Sequence, residues 1–357
     1  MKRPKINSIP MVSCKALSLR RLAGFVLAMT LLTCCVKTPD DLLDPAQAGV
    51  WTHYTTSDGL PGNRVSDIAL DSNGVLWAAF PEKGIARYNE DDGSWTLYDT
   101  HNIHLPSLHV TCLEPDGEGN IYIGTDIGFF VFTPATEKLT GKNLSAYVTC
   151  IKVISKDRVR IGSSNGTLWD NYPALGGYTA IPFSSIVQHT NLGLYAFEPD
   201  SEGRIWMGTS AGLWLDTGQS FDEISAEDFP AGIRSFLTDS RQRMWIGAAN
   251  QRTVNYTYAS EAIRDGRFIS AHSLLAPKIA SGNIDIRDIY EDRQGNIWFA
   301  THLVGAIKFD NYLTYQMNVF MKGFPEKQVN AIAGDRHGNI WFGLNTKGLV
   351  KYTPPLE

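Results

Sequence analysis

Eight side chains with binding chemistry fall at the positions where an otherwise self-similar chain stops repeating: Arg64, His109, Tyr147, Tyr195, Arg234, Arg287, His302 and Asn330. A guanidinium is a rigid fork of N–H donors suited to carboxylates and other oxygen-rich groups, and a phenol ring offers a stacking face. Arg64, Arg234 and Arg287 with Tyr147 or Tyr195 therefore suit an anionic or polyhydroxylated ligand. Asp285 and Gln328 precede the same kind of segment, and Lys83, Asp126, Arg252 and Lys347 lie in the loops expected to face them. The alternative for this set is a solvated mouth whose polar groups are satisfied by water. Other chemistries lack their residues. The chain has no phosphate-cradling glycine loop, no nucleophile elbow and no Cys/His pattern of metal-ligand spacing. Its Asp-x-x-Gly turns do not continue with the alternating oxygens and later Glu of a calcium loop, so neither a metal nor a cofactor is expected.

The elements that position these residues are repeats. "DSNGVLWAA" from Asp71 recurs as "DGEGNIYIG" from Asp116, "DSEGRIWMG" from Asp200, "DSRQRMWIG" from Asp239, "DRQGNIWFA" from Asp292 and "DRHGNIWFG" from Asp335, with a degraded copy, "SKDRVRIGS", around Arg160. The Trp position falls at Trp77, Tyr122, Arg160, Trp206, Trp245, Trp298 and Trp341, a mean spacing of 44 residues. That is the size of one four-stranded propeller blade. Asp followed by Gly three residues later is a turn signal. The aromatic and aliphatic run after it is a strand. An aliphatic residue six places before the Asp marks a first strand: Val65, Val110, Leu194, Ile233, Ile286 and Val329, with Val148 in the degraded copy. Downstream, segments such as "GIARY" at 84 and "GLVKY" at 348 supply a third strand, and aromatic segments such as "WTLY" at 95 supply a fourth.

Two residues after each first-strand aliphatic stand Asp67, Cys112, Cys150, Ala196, Ser235, Asp288 and Ala331, all short side chains. Innermost strands crowd a propeller axis, so small residues belong there. Cys112 and Cys150 are then packing residues on neighbouring blades, too far apart to bridge. The copies provide seven first strands but only six fourth strands after them, because the chain ends shortly after "GLVKY". "WTHY" at 51 matches "WTLY" at 95. The expected fold is all-β: a seven-bladed β-propeller with four-stranded antiparallel blades. Its ring closes when the N-terminal strand 51–54 joins the C-terminal blade, leaving no open sheet edge.

The first 34 residues read as a signal. Lys2, Arg3, Lys5, Lys15, Arg20 and Arg21 precede an apolar run at 22–32, which is shorter than the about 20 residues of a spanning helix. "LTCC" then resembles a bacterial lipoprotein cleavage site, with Cys35 (or Cys34) as the lipidated residue. An ordinary secretory signal or an uncleaved anchor is the alternative. Residues 35–50 form a tether and 51–357 the propeller. Loss of six basic residues leaves 26 Lys and Arg against 37 Asp and Glu, so nucleic acid is not an expected partner. Residence in the cell envelope follows, with the lipid anchor in a bacterial membrane, most readily the outer membrane, and the domain facing the periplasm or the cell surface.

Taken together, "GLPGNRV" at 59, "GVLW" at 74, "GIARY" at 84 and the aromatic fourth strand resemble the two-component regulator propeller repeats of bacterial hybrid sensor kinases. The resemblance covers about residues 51–353. It implies an extracytoplasmic sensor-type module whose ligand is a carbohydrate fragment or other small molecule. It also implies a partner protein in the envelope, because the usual second propeller, immunoglobulin-like domain and kinase are not expected in this chain; a structural scaffold for an envelope complex is the second reading. Streptogramin B lyases are propellers with similar short repeats that use a His, a Glu and magnesium at the channel mouth. His109 and His302 could stand for the His, but Glu82 is the one mouth Glu, so an enzyme is the least favoured reading.

Overall fold

The computed structural model describes residues 49–172, 177–190, 192–224, 232–249, 255–257, 269–270, 285–309, 314–317 and 324–355. The signal segment, nearly all of the tether, Cys34, Cys35 and Arg252 lie outside the described residues.

The described strands build an all-β propeller of four-stranded antiparallel sheets, seven of them among the described residues. Blade 1 comprises Asp67–Leu70, Leu76–Phe80, Gly84–Asn89 and Ser94–Tyr98. Blade 2 begins at Val110–Pro115, blade 3 at Val148–Ser155, blade 4 at Leu194–Pro199, blade 5 at Ile233–Thr238 and blade 6 at Ile286–Glu291. The last sheet runs Val329–Gly334, Ile340–Leu344, Leu349–Thr353, and its outer strand is Val50–Tyr54 from the start of the chain. That strand begins one residue earlier than the sequence expectation and pairs in register from Val50 with Thr353 to Tyr54 with Leu349.

Each turn motif does more than reverse the chain. The Asp carboxylate accepts backbone N–H groups two and four residues on, as Asp335 does from His337 and Asn339. Its second oxygen accepts the indole N–H six residues later, in Asp71–Trp77, Asp200–Trp206, Asp239–Trp245, Asp292–Trp298 and Asp335–Trp341, at 2.8 to 3.2 Å. A buried indole needs a partner, and these Trp side chains are almost wholly buried. Where blade 2 has Tyr122 in place of Trp, Asp116 takes the amide of Asn120 instead. Blade 3 lacks both motif residues. Arg160 fills the Trp position, fully buried, with Nε 3.0 Å from Asp170 and Nη1 2.7 Å from Asp216 of blade 4.

Apolar residues of consecutive blades form shared clusters. One joins Trp77 and Ile85 to Val110, Leu113 and Phe132, and another joins Ala331 and Trp341 of the last blade to Val65, Ile68 and Phe80 of the first. The final Gly of the second strand permits this approach: a Cβ on Gly124 would lie 2.9 Å from Val148 of the next blade, and one on Gly343 2.8 Å from Val65. Cys112 and Cys150 are free thiols, as packing residues at that level would be.

Candidate functional site

The innermost strands surround a central cavity of about 660 Å³. Its lining is set by one recurring irregularity. In blades 2 to 7 the ladder between first and second strands slips between the aliphatic residue and the small residue two places on, for example between Val110 and Cys112 or Ile233 and Ser235. A bulge re-aims the extra residue, and here that residue is Thr111, Thr149, Tyr195, Arg234, Arg287 or Asn330; Ser66 is its counterpart in blade 1.

Four of these seven positions tie one blade to the next. Ser66 Oγ donates to the carbonyl of Val110 at 2.9 Å, Thr111 Oγ1 to Val148 at 2.8 Å, Thr149 Oγ1 to Leu194, and Asn330 Nδ2 to Val65 at 2.8 Å. The acceptor is each time the first-strand aliphatic residue of the following blade. Asn330, expected at the ligand, lines the cavity and also bonds the joint between the last and first blades.

Blades 4, 5 and 6 carry Tyr195, Arg234 and Arg287 at the same position, and their side chains go elsewhere. The Arg234 guanidinium lies 4.1 Å from the centre of the Tyr195 ring. Arg287 Nη2 is 2.7 Å from Asp285 Oδ2. The backbone N–H of His302 donates to the Asp285 carbonyl at 2.8 Å, which brings the second-to-third-strand turn of blade 6 against the start of its first strand. Burial, reinforced by the nearby charges of Arg287 and Arg234, holds the His302 imidazole below its ordinary value. Three buried atoms of this group have no hydrogen-bond partner among the described residues: Arg234 Nε, Arg287 Nε and Asp285 Oδ1. Unpaired buried polar atoms are costly, and these three lie on residues of blades 5 and 6.

The other expected residues form a separate group or serve the loops. His109 Nε2 and the Tyr147 hydroxyl are 3.4 Å apart on blades 2 and 3, with Tyr147 substantially exposed and Arg64 near enough to affect it electrostatically. Gln328 accepts from Asn345, Asp126 accepts from Ser107, and the Lys347 carbonyl bonds His53. The predicted mouth therefore divides. Tyr195, Arg234, Arg287, Asp285 and His302 come together, His109, Tyr147 and Arg64 stand apart, and Asn330 lines the central cavity while bonding the Val65 carbonyl.

Deeper in the channel lie groups that the repeat pattern did not single out as polar. Asp67 accepts from Ile68 and, across the blade joint, from Leu113 at 2.7 Å; Asp288 accepts from Ile289 and from Ile332 at 2.9 Å. Further along, Glu114 accepts from Val153, Glu198 accepts from Thr238, and Lys152 Nζ lies 3.4 Å from Glu198. Burial raises the Glu114 carboxyl, while the carboxylates of Glu114 and Glu198 outweigh burial at Lys152 and raise its ammonium. The signal for this chain of charges was the fourth residue after each first-strand aliphatic, which reads Ala69, Glu114, Lys152, Glu198, Leu237, Tyr290 and Ala333. Among the described residues no group of three or more His, Cys, Asp and Glu is arranged to hold a metal ion.

The family model for the two-component regulator propeller matches residues 59–81, 104–126, 280–302 and 323–346. No curated protein sequence matches the chain. The structure resembles the extracellular domain assigned to a hybrid two-component system from B. thetaiotaomicron, with a TM-score of 0.70 and 18% identity over 86% of this chain and 42% of that one. It also resembles virginiamycin B lyase from Staphylococcus aureus, with a TM-score of 0.65 and 14% identity over 85% and 98% of the two chains. PorZ, a surface component of the type-IX secretion system of Porphyromonas gingivalis, is similar at a TM-score of 0.62 and 14% identity over 83% and 47%. The chain thus spans about two fifths of the length of the hybrid-system domain it matches. The chain carries the two-component regulator propeller repeat, and its fold resembles the extracellular domains of hybrid two-component systems.

Proposed function

We propose that this protein is an exported, ligand-binding propeller of the sensor type, anchored to the cell envelope through Cys35 or Cys34, that takes an anionic or polyhydroxylated ligand such as a carbohydrate fragment at its channel mouth. The reading treats the molecule as a closed ring of seven blades, which the pairing of Val50–Tyr54 with Leu349–Thr353 supports. One observation carries it. The bulge position that stitches blades together through Ser66, Thr111, Thr149 and Asn330 is given over in blades 4 to 6 to Tyr195, Arg234 and Arg287. A purely structural ring has no use for that substitution, since it replaces three interblade bonds by a tyrosine and two guanidinium side chains on the cavity wall. An arginine stacked on a tyrosine presents both a charged fork and an apolar face.

The test is calorimetric titration with acidic and neutral oligosaccharides against the unaltered protein and Arg234→Ala. Binding by the former and a loss of about tenfold or more in affinity, roughly 1.4 kcal/mol, in the variant is expected. No heat with any saccharide, and no difference on replacing Arg234, would reject the proposal.

A further inference from the structure

The joint between blades 2 and 3 is built differently from its counterparts, and the difference leaves a cleft outside the central channel. In blades 1, 5 and 6 the motif Trp packs against an aromatic residue on the third strand of the following blade: Trp77 on Phe132 at 6.0 Å, Trp245 on Phe309 at 5.7 Å and Trp298 on Tyr352 at 5.6 Å. Phe132, Phe309 and Tyr352 each pair with the aliphatic residue that opens their own second strand, Ile121, Ile297 and Ile340. In blade 3 that place, opposite Val159, belongs to Asn171. The blade 2 motif residue facing it is Tyr122, with the Asn171 amide beside its hydroxyl and both side chains buried. The joint has therefore exchanged an indole for a phenol on one side and a ring for an amide on the other. Next to them opens a cleft of about 480 Å³, walled by Phe129, Val131, Val159 and Tyr178 and lined also by Asp116. Apolar walls with a few polar groups at this size suit a small ligand.

The acceptor that an indole would use has been kept. In blades 6 and 7 Oδ2 of the motif Asp accepts two side-chain donors, from Asn296 and Trp298 on Asp292 and from Asn339 and Trp341 on Asp335. Asp116 holds the same turn through the backbone N–H groups of Glu118 and Asn120, but among the described residues its Oδ2 accepts the Asn120 amide alone. A carboxylate oxygen has room for a second donor. We infer that this cleft is a binding site for an indole, or a similar planar aromatic N–H group, supplied from outside the chain. Its N–H donates to Asp116 Oδ2, and its ring packs against Phe129 and Tyr178, which stand edge on to each other at 5.7 Å across the joint. The site is separate from the channel and does not rest on the role given to Arg234.

The experiment is a ligand-observed NMR titration of the purified protein with N-acetyl-tryptophanamide, the same compound methylated at the indole nitrogen, N-acetyl-phenylalaninamide and a short peptide carrying a central Trp. The indole with its N–H should bind about tenfold or more tighter than the methylated and phenyl compounds, since both lose the bond to a charged acceptor. Tighter binding of the peptide than of the amide would assign the indole to a partner's chain, and equal binding to a free small molecule. Tyr122→Trp restores the wedge of the repeat from inside. That variant should lose binding while its melting temperature holds or rises, as filling a cleft does, and Arg234→Ala should bind the indole unchanged. The comparison of indole with methylated indole needs no variant, so it decides the matter even if Tyr122→Trp does not fold. Equal affinity for the methylated compound, undiminished binding by Tyr122→Trp, or no binding of any indole would overturn the assignment and leave the reading of the channel untouched.

Discussion

Asp67 occupies a position that the repeat marks only as small, yet its chemistry is unusual. It keeps some surface toward the channel but has protein on every side. That burial, with the charge of Asp288 adding to it, pushes its carboxyl up to about 8 against the pull of N–H bonds from Leu113 and Ile68. Asp288 is raised to about 6, also by burial. An unfolded aspartate ionises near about 3.9, so over the interval between these values the folded state holds protons that the unfolded state has lost. The stabilisation is complete below about pH 4 and is lost as the pH rises through the folded-state values. Denaturant melts from about pH 5 to 9 should therefore show stability falling as pH rises, with each carboxyl contributing a slope of up to ~1.4 kcal/mol per pH unit. Asp67→Asn should flatten the upper part of that curve; curves that run parallel for variant and unaltered protein would contradict the assignment. The sequence offers a trace of this pair after the fact. Blades 1 and 6, which carry the two aspartates, are the blades whose cross-strand partner is Ala rather than Gly, Ala79 and Ala300. The carboxylates bond the next blade and so leave room over their own second strand, where the thiols of Cys112 and Cys150 press against Gly124 and Gly162.

The first strand of each blade is the element on which the proposed binding role rests, through the residue at its bulge. Asn330 and Arg234 hold equivalent positions and should behave in opposite ways. Asn330→Ala removes the bond to the Val65 carbonyl and should cost about 1 kcal/mol of stability while leaving saccharide affinity unchanged. Arg234→Ala should lose affinity with little change in melting temperature. Titration and thermal melts on both variants check this, and a loss of affinity in Asn330→Ala would restore that residue to the binding site. The strands themselves were legible because turn, aromatic run and aliphatic spacing recur with a fixed period. The bulge was not. An extra residue leaves no mark in an apolar pattern until the ladder is seen, and Asn330 and Arg234 then look equally polar and equally available. Blade 3 shows the complementary limit. Its missing Asp and Trp read as decay of the repeat, whereas the buried Arg160 bridges Asp170 and Asp216, and both guanidiniums of Arg158 and Arg160 outweigh burial to lower the Asp170 carboxyl. Nothing local to Arg160 announces that its second partner lies 56 residues further along the chain.

At the scale of the whole molecule the sequence was most informative, since a repeat with one strand too few at its end and one too many at its start has a single economical arrangement. The strand Val50–Tyr54 hydrogen-bonds the last blade and also fills it. Trp51 packs 4.6 Å from Tyr352 and 5.6 Å, edge on, from Phe324, and Tyr54 stacks on the motif residue Trp341 at 5.3 Å. Two aromatic side chains and five residues of ladder contribute several kcal/mol by area and packing, at ~1.5–3 kcal/mol for each large apolar side chain buried. Deleting residues 50–54 should therefore lower the melting temperature sharply. It should also expose Leu349–Thr353 as an unpaired edge beside an uncovered apolar surface, the combination that promotes self-association. Differential scanning calorimetry and light scattering would register both effects. A synthetic peptide spanning residues 49–58 added to the truncated protein should restore part of the lost stability in a concentration-dependent way. Unchanged melting and a monodisperse monomer after the deletion would show that the N-terminal strand decorates the last blade without closing the ring.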